Sequence, residues 1–397
     1  HAPANPHLWM SLGDVGVARL TQDSLREAAE CFRKALELQP GLADAHLTLG
    51  HVHHFEGRLD EAVRSYQAAL KLEPETAAYG ASLLTEMLQL CDWSRLGELC
   101  ESQRRSALEH PEQPVQPFGL LSIPSTPMEQ LACAQNFARS LAGSVASDRK
   151  RLAFGFDRAP QKRRRVGYLS ADFHAHATAY LAAELFELHD RSRFEVIAYS
   201  YGPDDGSPIR ARLQRGFERF VDVRSLSYAD AATAIHGDGV EILVDLKGYT
   251  VHARPEIMAL RPAPVQVNYL GYPGTMGAEF IDYIVGDRFV TPSARAGEFS
   301  EHLVIMPDSY QVNDRRRQIA GTPARRDLDL PEDAFVFCCF NQTYKILPDI
   351  FAVWMRMLKA VPGSVLWLLE LNPWVAQNLR REASARGVDP ARLVFAP

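Results

Sequence analysis

"RRVGYLSADFHAHATAYLAAELFELHD" occupies residues 164–190 and reads as a buried strand that runs into an amphipathic helix. Its first part is short and apolar, as expected of a strand covered on both faces. At the junction, where the strand should give way to the helix, stand Asp172, His174, His176 and Thr178. Such a cluster suits three roles: a metal site, an acid–base centre, or a polar turn with no chemistry of its own. His174 and His176 are two residues apart, so in a continued strand they would face opposite sides and could ligate together only from a loop. A third metal ligand would have to come from Asp172 or the remote His252. In the chemically silent alternative, Asp172 or Thr178 caps the helix 177–188.

The same alternation continues downstream. "FEVIAYSYG" (194–202), "VEILVDLKGY" (240–249), "VQVNYLGYPG" (265–274) and "DYIVGD" (282–287) read as further buried strands. "SPIRARLQRGFERF" (207–220), "YADAATAIHGDG" (228–239) and "RPEIMALRP" (254–262) read as helices between them. Strands alternating with helices predict a parallel sheet covered on both faces, a Rossmann-like layer. A second round starts near 334 with "AFVFCCF", a helix through "DIFAVWMRMLKAV", and "SVLWLLEL". The divider "RRRQIAGTPARRD" (315–327) separates the two rounds, which predicts two lobes with a cleft.

Ligands of such sheets lie beyond the carboxyl ends of the strands. Four polar stretches fall there: "SADFHAHAT", "DLKGYTVHAR", "LGYPGTMG" and "CFNQTYK". Their convergence favours an acid–base or substrate-orienting role for the 172–178 cluster. No G-x-G-x-x-G or G-x-x-x-x-G-K-[ST] occurs, which counts against dinucleotide dehydrogenases and P-loop enzymes. Gly271 and Gly274 flank Tyr272 and Pro273, a turn where backbone can approach a ligand closely or simply bend. Lys345 follows the strand "AFVFCCF" by five residues and sits near Gln342 and Tyr344. An ammonium at that place suits a phosphate or diphosphate oxygen.

Upstream lies a repeat. "LREAAECFRKALELQP" (25–40) and "LDEAVRSYQAALKLEP" (59–74) superpose at an offset of 34, pairing Ala28 with Ala62, Phe32 with Tyr66 and Pro40 with Pro74. That period, with small residues at helix contacts and a closing proline, is the tetratricopeptide signature. Two clear copies and a degenerate third at 75–92 are expected to stack on the following domain. Residues 93–162 read as a helical linker region. Histidines 46, 51, 53 and 54 crowd one hairpin and are expected to form a solvated face rather than a metal site.

A chain of 397 residues predicts two or three domains. A net charge of −6 argues against general nucleic-acid binding. No apolar run approaches the ~20 residues of a membrane span. "HAPANPHLWM" is not a signal peptide and, without a starting Met, is expected to be a processed or trimmed end. The six cysteines (31, 91, 100, 133, 338, 339) show no C-x-x-C spacing. Cys338 and Cys339 are expected as buried free thiols, and a reducing cytoplasm fits best.

"VGYLSADFHAHATAYL", "ALRPAPVQVNYLGYPGTMGAEFIDYIVGD" and "FNQTYKILPDIFAVWMRMLKAVPGSVLWLL", preceded by tetratricopeptide repeats, resemble the O-linked N-acetylglucosamine transferase family. The likeness runs from the repeats to the last residue and is that of a bacterial member with few repeats. It implies an α-solenoid followed by a two-lobed GT-B fold of Rossmann-like lobes, with the first lobe at 163–326 and the start of a nucleotide-binding lobe at 327–397. It implies an inverting enzyme that moves N-acetylglucosamine from UDP-N-acetylglucosamine to a Ser or Thr hydroxyl of a protein, with no metal or other cofactor. Motif by motif, it places His176 on the family's active-site histidine and Asp172 on an aspartate linked to proton transfer. Thr178 falls on a sugar-contacting threonine, and Leu270, Gly271 and Pro273 on the turn that borders the sugar pocket. Gln342 and Lys345 fall on diphosphate contacts, with Tyr344 beside them. Lys345 could stabilise the leaving diphosphate. The hydroxyl proton could go to Asp172, His176 or a phosphate oxygen.

Three departures qualify the likeness. The animal relatives carry a further histidine between repeats and catalytic body, but "EQPVQPFGLLSIPS" (112–125) has none. Residues 1–100 contain a single asparagine, Asn5, so the asparagine ladder that grips acceptor peptides in many-repeat relatives is absent. The family's uridine-binding segment follows the position of "LVFAP", so the second lobe is expected to have one βαβ start here, its remainder lying in a separate chain or segment. Two other functions stay open: the same fold with a glycan, lipid or small-molecule acceptor, and a repeat scaffold without catalysis.

Overall fold

The computed structural model describes residues 5–19, 21–157 and 162–396, with the side chains of residues 18 and 19 also outside the description. The chain folds as two compact units, His1–Ser106 with Gly321–Pro397, and Ala107–Ala320. Residues 158–161 of the expected linker, and the first four residues of the expected trimmed end, lie outside the described residues.

The repeats are helices α1 (Pro6–Arg19), α2 (Gln22–Leu38), α3 (Ala43–Phe55), α4 (Leu59–Leu72), α5 (Ala77–Gln89) and α6 (Leu96–Glu109). Helix α2 starts where Thr21 and Ser24 cap each other's backbone N–H groups, a capping box. The period shows in how the hairpins close. A Cβ on Gly13 would lie 2.5 Å from the Phe32 ring, and one on Gly50 would lie 2.4 Å from the Tyr66 ring. Each copy thus seats an aromatic ring against a bare helix backbone. In the third copy Gln103 of α6 replaces the ring, and its Nε2 donates to Ala77 O at 3.0 Å.

The histidines of α3 do not form the expected solvated face. His53 is buried with Nδ1 3.3 Å from Ser65 Oγ. His54 Nδ1 stands 2.7 Å from Oε2 of the buried Glu86, and His51 Nε2 lies 3.4 Å from Ser82 Oγ. His46 instead meets the backbone, its Nε2 3.3 Å from Pro40 O in an exposed contact. The reason is topological: α3 is covered by α4 on one side and by α5 on the other, and the partners come from those helices.

The second unit begins with α7 (Pro117–Leu121), α8 (Pro127–Ser144) and α9 (Ala146–Leu152). Then come β1 (Arg164–Ser170), α10 (Ala177–Glu187), β2 (Phe194–Ser200), α11 (Pro208–Gly216), β3 (Arg219–Asp222), α12 (Tyr228–Gly237) and β4 (Ile242–Asp245). It closes with α13 (Pro255–Ala259), β5 (Val265–Asn268), β6 (Tyr283–Asp287) and β7 (His302–Met306). The seven strands form one parallel sheet in the order β3-β2-β1-β4-β5-β6-β7. Alternate residues feed two cores. Leu169, Ile197, Tyr199 and Leu243 pack with residues of α8, α12 and α13. Tyr168, Val196, Ala198 and Val244 pack with residues of α10 and α11. The stretch 207–220 is not one helix as expected: α11 stops at Gly216, and Phe217 and Phe220 turn into the aromatic cluster around Phe173 while 219–222 pair with β2. Strand β7 escaped the sequence reading because, as an edge strand, it leaves Val304, Ile305 and Met306 exposed.

The first unit resumes with β8 (Val336–Cys339), α14 (Pro348–Ala360), β9 (Val365–Leu369), α15 (Pro373–Ala385) and β10 (Leu393–Ala396). Its three parallel strands run β10-β9-β8. The expected single βαβ start is therefore two successive units, since 373–396 supply a second helix and strand. Phe351, Met355, Val375 and Leu379 pack on Leu366, Leu368 and Leu393, together with Cys91 from the repeats. Cys338 and Cys339 are not both buried as expected: Cys338 is exposed and Cys339 half-buried. Strand β8 is an edge strand, and Phe337 and Cys339 face the helices while Cys338 faces away.

Candidate active site

Strand β1 lies between β2 and β4. The chain builds β2 and β3 on one side of it and β4 to β7 on the other, so the crevice outside β1 and β4 is the sheet's switch point, where such folds bind ligands. The register pairs Leu169 with Asp245 and Asp245 with Asn268, so β1, β4 and β5 end side by side.

The loop after β1 is held at three points. Asp172 N donates to Ser170 Oγ at 2.9 Å, the Phe173 ring sits in the aromatic cluster with Phe186 and Phe217, and Ala175 N donates to Asp205 Oδ2 at 2.8 Å. His176 then takes the N-cap position of α10, and its Nδ1 accepts the Thr178 N–H at 3.2 Å. The cap expected from Asp172 or Thr178 is thus made by His176, because the loop turns the imidazole back over the first helical turn. A neutral imidazole that accepts at Nδ1 carries its proton on Nε2, a tautomer assigned from the hydrogen-bond network. Partial burial pulls His176 below the usual imidazole range, and the Lys247 and His174 charges add to this while Asp172 opposes it.

Asp172 is buried, and it meets a residue that the motifs do not single out. Lys247 Nζ lies 2.9 Å from Oδ1 and 2.9 Å from Oδ2 of Asp172. Both side chains are less than a tenth exposed, at 7% and 8%. Oδ2 of Asp172 is also 3.5 Å from His176 Nδ1. Lys247 is oriented by Asp245, whose carboxylate accepts the backbone N–H groups of Lys247 and Gly248 at 2.9 and 3.1 Å. Full burial pushes the Asp245 carboxyl up to about 7 against the pull of those donors and of Lys247. The available signal was the pair of charges closing the apolar run "VEILVDLKGY" on the strand next to β1.

The turn after β5 meets the same place. A Cβ on Gly271 would lie 2.0 Å from Leu246 O, so only glycine lets the turn rest on the exit of β4. Leu270 before it holds φ +73, a strained value for a leucine. Asn268 Nδ2 reaches Tyr272 O and Gly274 O at 3.4 and 3.3 Å, and Pro273 is exposed at the tip. Asp172, His176 and Thr178 are therefore gathered with Leu270, Gly271 and Pro273 around one sheet edge. His252 is exposed, and among the described residues no three of His, Cys, Asp and Glu converge as a metal site requires.

Gln342, Tyr344 and Lys345 belong to the other compact unit, in the loop that leaves β8. Gln342 precedes a single 3-10 turn, Thr343–Lys345, and its carbonyl accepts the Lys345 N–H at 3.1 Å. Lys345 is exposed, its ammonium 5.9 Å from the centre of the Tyr344 ring. No carboxylate pairs with it among the described residues. Buried Thr343 fixes the loop by donating to Gln89 O of the repeats at 2.7 Å.

Residues 147–322 and 316–397 match the model of glycosyl transferase family 41, and residues 19–87 match a tetratricopeptide repeat model. The chain belongs to glycosyl transferase family 41. This member is 39% identical over 300 residues to the probable UDP-N-acetylglucosamine–peptide N-acetylglucosaminyltransferase SEC of Arabidopsis thaliana, covering 71% of this chain and 30% of that one. It is 29% identical over 347 residues to the UDP-N-acetylglucosamine–peptide N-acetylglucosaminyltransferase of Caenorhabditis elegans, covering 59% of this chain and 30% of the relative. The family 41 chain thus spans under a third of these curated relatives. Among solved structures, an O-GlcNAc transferase mutant from Thermobaculum terrenum matches with a TM-score of 0.76 at 26% identity, over 98% of this chain and 74% of that one. The fold expected from the motifs, tetratricopeptide helices followed by Rossmann-like parallel sheets of a glycosyltransferase, is the fold found.

Proposed function

We propose that this family 41 chain carries out inverting transfer of N-acetylglucosamine from UDP-N-acetylglucosamine to a Ser or Thr hydroxyl of a protein, without a metal ion. The observation that carries the reading is the assembly of Asp172, His176, Thr178 and the Gly271 turn at the switch point beside β1 and β4. The named activities of the Arabidopsis and Caenorhabditis relatives support it.

In this reading the acceptor oxygen forms a bond to the anomeric carbon as the bond from that carbon to the diphosphate breaks. The electron pair leaves with UDP, and Lys345 and Gln342 meet the developing charge in place of a metal. His176 acts as a hydrogen-bond donor through Nε2, and Thr178 lines the sugar. Asp172 has both oxygens on Lys247, and His176 has Nδ1 on Thr178 N, so the hydroxyl proton passes to a phosphate oxygen of the donor. Tyr344 supports the Lys345 stem, while Leu270 and Pro273 border the sugar.

Six free cysteines suit a reducing cytoplasm, which we propose as the compartment. None of the described helices is long and apolar enough to cross a membrane. The repeats would recruit a protein acceptor or partner. The single asparagine in residues 1–100 favours a second reading, in which the acceptor is a glycan or small molecule.

Calorimetric titration of UDP into the intact protein tests the donor site. Binding that weakens at least tenfold in Lys345→Ala is expected, and absence of binding to the unaltered protein would sink the transferase reading. Mass spectrometry of candidate acceptors after incubation with UDP-N-acetylglucosamine then separates protein from non-protein acceptors.

A further inference from the structure

Lys247 has no place in the expected donor contacts, yet the fold invests two elements in it. Asp245 at the end of β4 fixes its backbone, and the pairing of β4 with β1 brings its ammonium onto Asp172. Fold stability does not demand such a pair, since buried ion pairs are commonly matched by apolar side chains of like volume. Its position suggests an electrostatic duty. Asp172 Oδ2 lies 3.5 Å from His176 Nδ1, and an uncompensated carboxylate there would draw a proton onto that nitrogen. A protonated Nδ1 could no longer accept the Thr178 N–H, and the cap of α10 would be lost.

We propose that Lys247 is a positioning residue that acts through Asp172: its ammonium holds the carboxylate and cancels its pull on His176, so that Nδ1 keeps the Thr178 N–H and Nε2–H is presented as a donor. The other titratable groups around the pair are His174, with its ring centre 5.7 Å from that of His176, Asp205 on Ala175 N, the buried Asp245, and Tyr201. His174 acts on His176 in the same direction as Lys247. Asp205 is held ionised by the Ala175 N–H, and its carboxylate is spent on the loop backbone. Lys247 is thus the cation placed directly on the carboxylate that faces Nδ1.

The kinetic arm of the test rests on the transferase reading, but the spectroscopic arm does not. Histidine-labelled intact protein is titrated by NMR, with the His176 signal assigned from its loss in His176→Gln. The unaltered protein should show an unprotonated Nδ1 and a protonated Nε2. Lys247→Met should move the His176 midpoint up and place a proton on Nδ1. Asp172→Asn should move it down, the double variant should return it towards the starting value, and Lys247→Arg should leave it in place. Opposite displacements that cancel in the double variant report charge, which a merely structural role would not produce. If Lys247→Met fails to fold, Asp172→Asn and the double variant decide the question. Midpoints that stay put, or a proton already on Nδ1 in the unaltered protein, overturn the proposal. In UDP-N-acetylglucosamine turnover, the acid limb of the pH profile should move upward in Lys247→Met, with turnover about ten- to a hundredfold lower. The NMR pattern without turnover in the unaltered protein would retire the transferase reading and leave the role of Lys247 standing.

Discussion

Gly271 rests directly on the backbone of Leu246: a Cβ at that position would lie 2.0 Å from the Leu246 carbonyl oxygen. The obstacle is a main-chain atom at the end of a central strand, so it cannot rotate aside. Gly271→Ala must push the turn off β4 and is expected to cost about 1–3 kcal/mol, the usual range for overpacking. In the proposed reading it should also weaken UDP-N-acetylglucosamine binding, because Leu270 and Pro273 move with it. Pro273→Ala, at the exposed tip, should change stability by less than about 1 kcal/mol. Urea unfolding of the two variants checks the contrast, and equal losses would mean that the close approach does not constrain the turn.

The Lys247–Asp172 pair predicts a non-additive stability pattern. Lys247→Met leaves a buried carboxylate without its cation and is expected to cost about 3–5 kcal/mol. The double change Lys247→Met with Asp172→Asn removes both charges and should stay within about 2 kcal/mol of the unaltered protein. A double-mutant cycle by chemical unfolding measures the coupling. A double variant as unstable as the sum of the singles would show that the two charges do not compensate each other.

How much of this site was legible in the chain depended on the kind of signal. Asp172, His176 and Thr178 interrupt an apolar strand–helix junction, and Gly271 and Gly274 mark a turn, so their types and places stood out locally. Lys247 did not, because its meaning comes from the pairing of β4 with β1, and 75 residues separate it from Asp172 in the chain. The His176 cap likewise depends on how the loop folds back. The same limit governed the fold. Buried parallel strands were visible from apolar runs, whereas edge strands β3 and β7 carry polar or exposed residues that mimic helix or loop. The histidines of α3 read as surface for the same reason, since their partners Ser65, Ser82 and Glu86 sit on neighbouring helices.

Those histidines carry a pH signature. His54 is raised above the usual imidazole range by its hydrogen bond to Glu86, so its contribution is fully present below the unfolded value and is lost as pH rises through the folded one. His51 and His53 are lowered by burial, so their contribution is lost as pH falls. Glu86→Gln removes the first effect and, by deleting a charge that favours protonation of His51, deepens the second. It should therefore destabilise the repeats more at pH 6 than at pH 9, measured by urea unfolding of the intact protein followed by circular dichroism. A loss that is equal at both values would show that His54 does not draw its raised affinity for protons from Glu86.

Thr343 ties the Gln342–Lys345 loop to the repeats, with its hydroxyl 2.7 Å from Gln89 O and its carbonyl 3.6 Å from Cys91 Sγ. Asn378 of α15 adds a bond to Leu90 O at 2.9 Å, so the last turn of α5 is held by two elements of the C-terminal segment. Thr343→Val keeps the shape of the side chain but deletes the donor, which leaves the half-buried Gln89 carbonyl without it and should cost about 1–3 kcal/mol. Thr343 is buried, and its hydroxyl is spent on Gln89 O. In the proposed reading the variant should nevertheless weaken UDP binding several-fold, because Gln342 and Lys345 lose the anchor that presents them. Calorimetry of Thr343→Val beside Asn378→Ala separates the effects: both should destabilise the unit, but only the first should change UDP affinity. Unchanged affinity in Thr343→Val would mean that the loop holds its form without the bond to Gln89 O.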